Sequence, residues 1–366
     1  MLLWILDLNL EKIGIVSKFE SLQFNTVFNG NGDFTLTYNA NSTGANYIQE
    51  GRIVYLDAKR VGLIDYVGIA RKTDKQGERA YARGRELKDI INDRITIPPA
   101  ASTSGYDTYR NKNTDYIALE LLTKHITNPE NADRKIPFFE LAPYQAYGSP
   151  VTFSTRYKNL GDEISALLSV DELGLTCSVN IDTQKATLGI VKPTDRSIGQ
   201  TANPRAIFSL ALGTLSDTDR TLDARAYKNY AYTAGQGEGA ARVIDQLYTT
   251  SLPPTGAARR ELFVDARDIQ DADELPSRGL KKLAELDKLV TIDGGSRDIG
   301  SMTYALGDLC TIIDVDGTAT TKQIVGIEYL YRQKTEEKRL IFGSRDMTIS
   351  QAIKQKFQDI NNELTR

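Results

Sequence analysis

One stretch of this chain distinguishes between two possible fold classes: Gly235-Gln236-Gly237-Glu238-Gly239-Ala240-Ala241-Arg242. It is similar to a dinucleotide-binding loop, but such a loop needs its glycines between a buried strand and a helix. The residues that follow, 242–248, are β-branched and aromatic and lack helical spacing. Ala240 also stands where the motif needs its third glycine. The stretch therefore predicts a flexible hairpin between two strands, not a nucleotide-binding loop.

Length and charge limit the classes of protein that this chain can belong to. Its 366 residues allow two or three domains, and its formal net charge is −3. A nearly balanced charge would not attract nucleic acid or an anionic membrane strongly. The apolar residues 1–6 end at Asp7 and indicate a first strand, not a signal peptide. Because no apolar run reaches the roughly 20 residues of a membrane-spanning helix, we expect no membrane insertion.

Histidine and cysteine are too scarce for the common catalytic and metal sites. The chain has one histidine, His125, and two cysteines, Cys177 and Cys310. Typical zinc sites and Ser-His or Cys-His catalysis have no residues to be built from. A disulfide framework is not expected either, which favours folding in a reducing cytosol. We predict no catalytic residue, no metal site and no cofactor, and we expect His125 to be partly buried or at a rim.

Carboxylates leave one enzymatic alternative open. Asp265, Arg267 and Asp268 alternate in sign, which favours an internal or intersubunit ion pair. A glycoside hydrolase needs only two carboxylates, so the sequence leaves a catalytic pair as an alternative. The other acidic loops lack the ligand spacing of a calcium-binding EF-hand.

Strand and helix patterns divide the chain into four predicted regions. Residues 1–96 alternate apolar and polar side chains in strands about 8–12 residues apart, which indicates a small barrel or sandwich. Residues 97–204 contain two helical patterns and paired strands, typical of an α/β module. Residues 205–345 return to strands, with an inserted helix around 279–287. Residues 346–366 predict an amphipathic helix with a coiled-coil seam, which docks on its own domain or on another copy.

Five short segments, in this order, resemble the baseplate hub (tail-tip) proteins of long-tailed bacteriophages and prophages. That family is related to the central hub of contractile tails and to the N-terminal module of tail-associated lysins. The segments are Gly32-Asp33-Phe34-Thr35-Leu36, Gly84-Arg85-Glu86-Leu87 through Arg94, Gly235–Gly239 with Arg242, Val264–Asp268, and Leu306-Gly307-Asp308-Leu309.

The resemblance implies both a fold and a function. The fold is mainly β with an α+β insertion: two small β-barrel domains, an inserted α/β module and a C-terminal helix. The function is structural: a homotrimeric ring that adapts the sixfold tail to a threefold tip and lines or closes the DNA channel. Such a protein is made in the bacterial cytoplasm and is located at the virion tail tip. It contacts a distal tail ring above and a tip or fibre protein below, and phage DNA passes it transiently.

Two alternative functions and a set of candidate interface residues are also predicted. A carbohydrate-binding or host-adhesion protein, with exposed tyrosines stacked on sugars, is the second candidate, and a carboxylate-based cell-wall glycosidase is the third. The candidate interface residues are Arg85, Arg94, Gly235, Gly237, Gly239, Arg242, Asp265, Arg267, Asp268, Ile353, Phe357, Ile360 and Leu364.

Overall fold

The computed structural model describes residues 2–70, 79–217, 219–267, 275–284, 286, 289–295, 302–314, 316–332 and 335–343. These residues belong to two compact units. The first unit draws on 1–217 and 294–341, and the second on 218–293 and 342–366. Most of the regular structure is strand, so the prediction of a mainly β chain is confirmed.

The strands and helices have the following bounds. The strands are β1 (Leu3–Leu6), β2 (Lys12–Val16), β3 (Ser21–Val27), β4 (Asp33–Asn39), β5 (Ile53–Tyr55), β6 (Val61–Ala70), β7 (Arg79–Glu86), β8 (Asp107–Asn113), β9 (Phe139–Leu141), β10 (Pro150–Thr155), β11 (Gly174–Asn180), β12 (Lys185–Val191), β13 (Ile207–Ser209), β14 (Asp219–Asp223), β15 (Tyr230–Ala234), β16 (Ile244–Tyr248), β17 (Glu261–Asp265), β18 (Leu289–Gly295), β19 (Leu309–Ile313), β20 (Ala319–Arg332) and β21 (Thr335–Gly343). The α-helices are α1 (Thr114–Leu122), α2 (Leu160–Val170) and α3 (Leu275–Ala284).

The largest sheet of the first unit is mainly antiparallel. Its strands follow the order β21-β20-β3-β4-β7-β6-β5-β1-β2, β19 joins it by pairing with β20, and β13 pairs parallel with β19. The strand β4 illustrates why the sheet forms, because its alternating side chains give it one apolar face. Phe34, Leu36 and Tyr38 are buried, and the residues between them are only half-buried. Phe34 also stacks on Phe24 of β3 at 5.8 Å between ring centroids.

The prediction of two β-barrels is wrong, because the sheets are open. No sheet of the described residues closes into a barrel, and in that part of the chain β2 pairs with β1 alone. Closure requires the first and last strands to pair at a consistent tilt and stagger. Strand spacing and alternation show which face of a sheet is buried, but they do not show whether its ends meet.

The α/β module is built on the same core as the strands around it. The helices α1 and α2 bury Ile117, Leu121 and Ile164 in a cluster that also contains Leu6 and Leu87. Two smaller sheets, β11-β12-β9 and β10-β8, complete the module. Of the elements predicted within residues 97–204, the second helix is confirmed as α2 (Leu160–Val170), and the paired strands are confirmed as β11 and β12. The boundaries at residues 96, 204 and 345 stay predictions.

The second unit contains the sheet β16-β15-β17 and the helix α3. One face of the sheet packs on α3 through Ala231, Val264 and Leu283. Gly279 permits a close approach, because a Cβ there would lie 2.2 Å from the hydroxyl of Thr233. The predicted helix of residues 346–366 lies outside the described residues.

Candidate functional site

The glycine-rich hairpin predicted from the sequence is present. The strands β15 and β16 pair antiparallel on either side of it, from Tyr230↔Tyr248 to Ala234↔Ile244. Gly237 has a φ of 102°, and a Cβ there would lie 2.7 Å from the carbonyl oxygen of Ala241. A side chain at this position would therefore be strained as well as crowded. The prediction of a hairpin in place of a nucleotide-binding loop is confirmed.

Arg242 stabilises this hairpin by hydrogen bonds to its backbone. Its Nε donates to the carbonyl oxygen of Gly235 and its Nη2 to that of Ala234, both at 2.9 Å. The same Nη2 donates to Asp265, and the guanidinium lies 5.6 Å from the ring centroid of Phe263. Only 11% of the Arg242 side chain is exposed. Arg242 therefore ties the hairpin to β17.

Asp265 forms the ion pair that the alternating charges in the sequence predicted. Besides Arg242, it has Arg267 at 3.7 Å, so an internal pair is present. Desolvation acts to raise the pKa of Asp265, but the hydrogen bonds from Arg242 and the Arg267 backbone hold that pKa below its usual value. Asp268 lies outside the described residues. Asp265 is 54% exposed, which leaves it accessible to a neighbour.

The face of β16-β15-β17 opposite α3 carries exposed apolar side chains. Because side chains alternate along a strand, Ile244, Tyr248 and Phe263 share this face. They are 50%, 39% and 59% exposed. We call these three residues the outer sheet face. Next to them Arg259 covers the ring of Tyr230, with 3.5 Å from its guanidinium carbon to the ring centroid.

In the first unit, two of the family-like segments meet at a buried ionic cluster of Glu86, Lys88 and Asp89. Asp89 accepts a hydrogen bond from the backbone of Gly32 at 2.9 Å. Lys88 forms an ion pair with Glu86 at 2.9 Å and donates to the carbonyl oxygen of Val27. These contacts fix the turn between β3 and β4 against residues 87–93. A polar cluster this deeply buried depends on every one of its partners.

Burial shifts the pKa values of the two carboxyl groups in this cluster. It raises the pKa of Glu86, and that of Asp89 well above its usual value, in spite of the nearby Lys88 ammonium. It also raises the pKa of the adjacent Cys177 thiol to about 12. Cys177 is therefore an unreactive thiol at neutral pH.

The segment Leu306–Leu309 is also explained by packing. Gly307 has a φ of 96°, and a Cβ there would lie 2.2 Å from the ring of Phe28. The next residue, Asp308, accepts hydrogen bonds from Arg196 Nε at 2.7 Å and from the backbone N–H of Thr194 at 3.0 Å. The segment thus fixes the chain before β19 to residues 194–196.

Arg85 and Arg94, two further interface candidates, have partners inside the chain. Both terminal nitrogens of Arg85 donate to Asp93 at 2.7 Å, and its Nε lies 3.4 Å from Asp65. Arg94 donates to the carbonyl oxygen of Arg134 at 3.4 Å. Their roles in assembly stay predictions, as do those of Ile353, Phe357, Ile360 and Leu364, which lie outside the described residues.

His125 is more deeply buried than its sequence position suggested. Only 2% of it is exposed, and its Nδ1 lies 3.4 Å from an Arg134 nitrogen. Desolvation and the charge of Arg134 lower the pKa of His125 to about 4. The ring is therefore neutral near pH 7.

Sequence reasoning missed one exposed group of side chains. Arg156 contacts the rings of both Tyr106 and Tyr157. Tyr157 has a φ of 50°, which no pattern in the sequence indicates. The signal that could have identified the group is the adjacent pair Arg156-Tyr157 following a strand.

The described residues contain neither a metal-binding group of side chains nor a membrane-spanning helix. No group of three or more His, Cys, Asp or Glu side chains is arranged to hold a metal ion there. In the same part of the chain, no helix is both long and apolar enough to cross a membrane.

Comparison with known proteins gives a consistent fold. A family model described as Siphovirus ReqiPepy6 Gp37-like protein matches residues 2–344. No curated protein sequence matches. Among solved structures, the 43 kDa tail protein of prophage MuSo2 from Shewanella oneidensis is similar at a TM-score of 0.62 and 13% identity, covering 94% of this chain and 99% of that one.

Two further solved structures share the fold. The tail protein from Neisseria meningitidis MC58 has a TM-score of 0.53 at 12% identity, covering 93% of this chain and 96% of that one. The prophage tail protein gp18 from Listeria monocytogenes EGD-e has a TM-score of 0.52 at 13% identity, covering 93% and 94%. The described chain therefore has the fold of prophage tail proteins.

Proposed function

The chain belongs to the Siphovirus ReqiPepy6 Gp37-like protein family, and from this premise we propose that it is the structural hub of a phage tail baseplate. Three copies form a ring at the tail tip that adapts sixfold to threefold symmetry and lines or closes the DNA channel. The ring contacts a distal tail ring above and a tip or fibre protein below. The chain is made in the host cytoplasm, and its role is geometric, with no catalytic residue.

One observation carries this proposal: the tail-protein fold extends over nearly the whole chain. The match covers 94% of this chain and 99% of the Shewanella oneidensis tail protein. The polar clusters that the described residues do form serve to fix backbone, as Glu86, Lys88 and Asp89 do.

The outer sheet face supports an interface between copies. A closed ring of three uses two different surfaces on each copy, so one exposed face contacts another surface of the next copy. Ile244, Tyr248 and Phe263 offer apolar area, and Asp265 with Arg242 offers a charged rim beside them. Aromatic anchors with a polar rim are typical of stable interfaces. We propose that this face, the Gly235–Gly239 hairpin, Arg267 and Asp268 form one side of that interface.

Arg85, Arg94 and the C-terminal seam of Ile353, Phe357, Ile360 and Leu364 are proposed as further assembly contacts. The seam is supported by its steps of four, three and four residues. Deletion of residues 348–366 should reduce the oligomer mass. An unchanged mass would remove the seam from the interface.

The test of the interface is a charge placed on the outer sheet face. Phe263→Glu should shift the purified chain from rings to monomers in negative-stain images and in sedimentation. Tyr144→Glu is the matched control, because Tyr144 is exposed at 44% but lies in the first unit. Rings that persist in Phe263→Glu would contradict the proposed interface, and an absence of rings in the unmodified chain would contradict the proposed function.

A further inference from the structure

Beside β8 and β10 lies a surface of two tyrosines and one arginine. The guanidinium carbon of Arg156 is 5.7 Å from the ring centroid of Tyr106 and 5.4 Å from that of Tyr157. Tyr106 is 45% exposed and Tyr157 is 59% exposed. We call these three residues the tyrosine–arginine surface. Both rings present aromatic area to solvent around a single cation.

The backbone holds Tyr157 in this position at a conformational cost. Its φ of 50° is a left-handed conformation that residues other than glycine and asparagine rarely adopt. Thr96, which is fully buried, maintains it: the Tyr157 N–H donates to the Thr96 carbonyl at 2.8 Å, and the Lys158 N–H donates to Thr96 Oγ1 at 3.1 Å. Folding alone would favour glycine at this position. Strained residues of this kind concentrate at functional sites.

The charge of the surrounding face is positive. Arg156 and Arg110 are both exposed, and among the described residues neither forms an ion pair with a carboxylate. Asp107 of the same strand is buried and forms an ion pair with Lys124 at 2.9 Å. The outward-facing side chains between the two arginines include Thr108 and Ser154, whose hydroxyl oxygens are 3.0 Å apart. This face therefore offers two guanidinium groups and two hydroxyl groups.

These features define the chemistry of a ligand. A guanidinium binds the two oxygens of a carboxylate, phosphate or sulfate in a planar, bidentate manner. The exposed faces of Tyr106 and Tyr157 fit the C–H faces of sugar rings. An acidic peptide would satisfy Arg156 but would not supply flat C–H faces to both tyrosines. Nucleic acid is disfavoured, because its binding depends on the neutralisation of several phosphates and this face has two arginines.

We propose that the tyrosine–arginine surface binds an anionic polysaccharide, with one acidic group on Arg156 and sugar rings on the tyrosines. This binding site is independent of the assembly function above. It would give a tail protein a direct contact with an acidic cell-surface polymer.

Calorimetric titration of the full chain with tetragalacturonate tests the proposal. We expect saturable binding at one site per chain, with a Kd of about 0.1–1 mM at low salt. Arg156→Gln should weaken binding by about tenfold, because it removes the charge-assisted bonds. Tyr157→Gly should weaken it by about fivefold while the melting temperature stays within about two degrees, since glycine relieves the backbone strain. Tyr144→Ala is the control and should bind like the unmodified chain.

Three binding results would each overturn the proposal. These outcomes are no binding at about 10 mM ligand, equal binding of a neutral galactose tetramer, and unchanged binding by Arg156→Gln. A hexaglutamate peptide that binds as tightly as tetragalacturonate would identify a protein-docking face instead. Loss of folding in Tyr157→Gly, seen by circular dichroism, would show that the tyrosine is structural.

Discussion

At the level of single residues, the ring of Phe28 packs closely against two glycines. A Cβ on Gly174 would lie 2.4 Å from its ring, and a Cβ on Gly307 would lie 2.2 Å from it. Gly307 also has a φ of 96°, so an added side chain there is strained as well as crowded. Both glycines are therefore required by the ring that they contact.

Gly307→Ala should lower the free energy of unfolding by about 3 kcal/mol, from overpacking and a left-handed backbone together. Gly317→Ala is the matched control, because Gly317 has a φ of 82° but open space around its Cα. It should cost only about 1 kcal/mol. Urea unfolding followed by the fluorescence of Trp4, the one tryptophan, measures both. Equal losses in the two variants would show that crowding against Phe28 has no effect.

His125 should make the chain less stable in mild acid. Its folded pKa of about 4 lies below the ordinary value of 6.5, so its contribution is fully present above pH 6.5 and is lost as pH falls towards 4. Between pH 7 and pH 5 the unmodified chain should lose about 2 kcal/mol more than His125→Gln.

The raised pKa values of Glu86 and Asp89 act in the opposite direction, because they favour the folded state at low pH. They are present in both chains and cancel in the comparison. Parallel stability curves for the unmodified chain and His125→Gln between pH 7 and pH 5 would contradict the burial of a neutral His125.

At the level of elements, α3 packs on its sheet through Gly279. A Cβ there would lie 2.2 Å from Thr233 Oγ1 and 2.4 Å from a methyl group of Leu247. Gly279→Ala should destabilise the second unit by about 1 kcal/mol, because overpacking exceeds the gain in helix propensity. Faster amide exchange in β15 and β16 would show it. Leu280→Ala, on the exposed side of the same helix, should leave exchange unchanged, and equal effects of both would argue against close packing at Gly279.

Elements with strong local signals were predictable from the sequence, and those fixed by long-range packing were not. The hairpin at residues 235–242 and the helix α2 follow from turn glycines and apolar spacing. The open sheets do not, since closure depends on how distant strands pair. The first helical pattern predicted in residues 97–204 corresponds to α1, but its change to a π-helical turn over Thr123–Thr127 was not predicted. The conformation of Tyr157 is imposed by Thr96, which is distant in sequence.

At the level of the whole molecule, the chain belongs to a phage tail protein family, and we propose that its function is structural. The family match over residues 2–344 and the tail-protein fold of the described residues support that conclusion. The same residue types that suggested chemistry in the sequence, at Gly235–Arg242 and Asp265, connect backbone segments in the structure. Assembly is therefore the property that most directly distinguishes a structural hub from a carbohydrate-binding protein or a glycosidase.

Native mass spectrometry of the purified full chain, at tens of micromolar and over a dilution series, measures assembly directly. The proposed hub predicts one dominant species of three chain masses, without higher multiples, since a ring closes on itself. A monomer at every concentration, or an open series of dimers, tetramers and larger species, would contradict a closed trimeric ring.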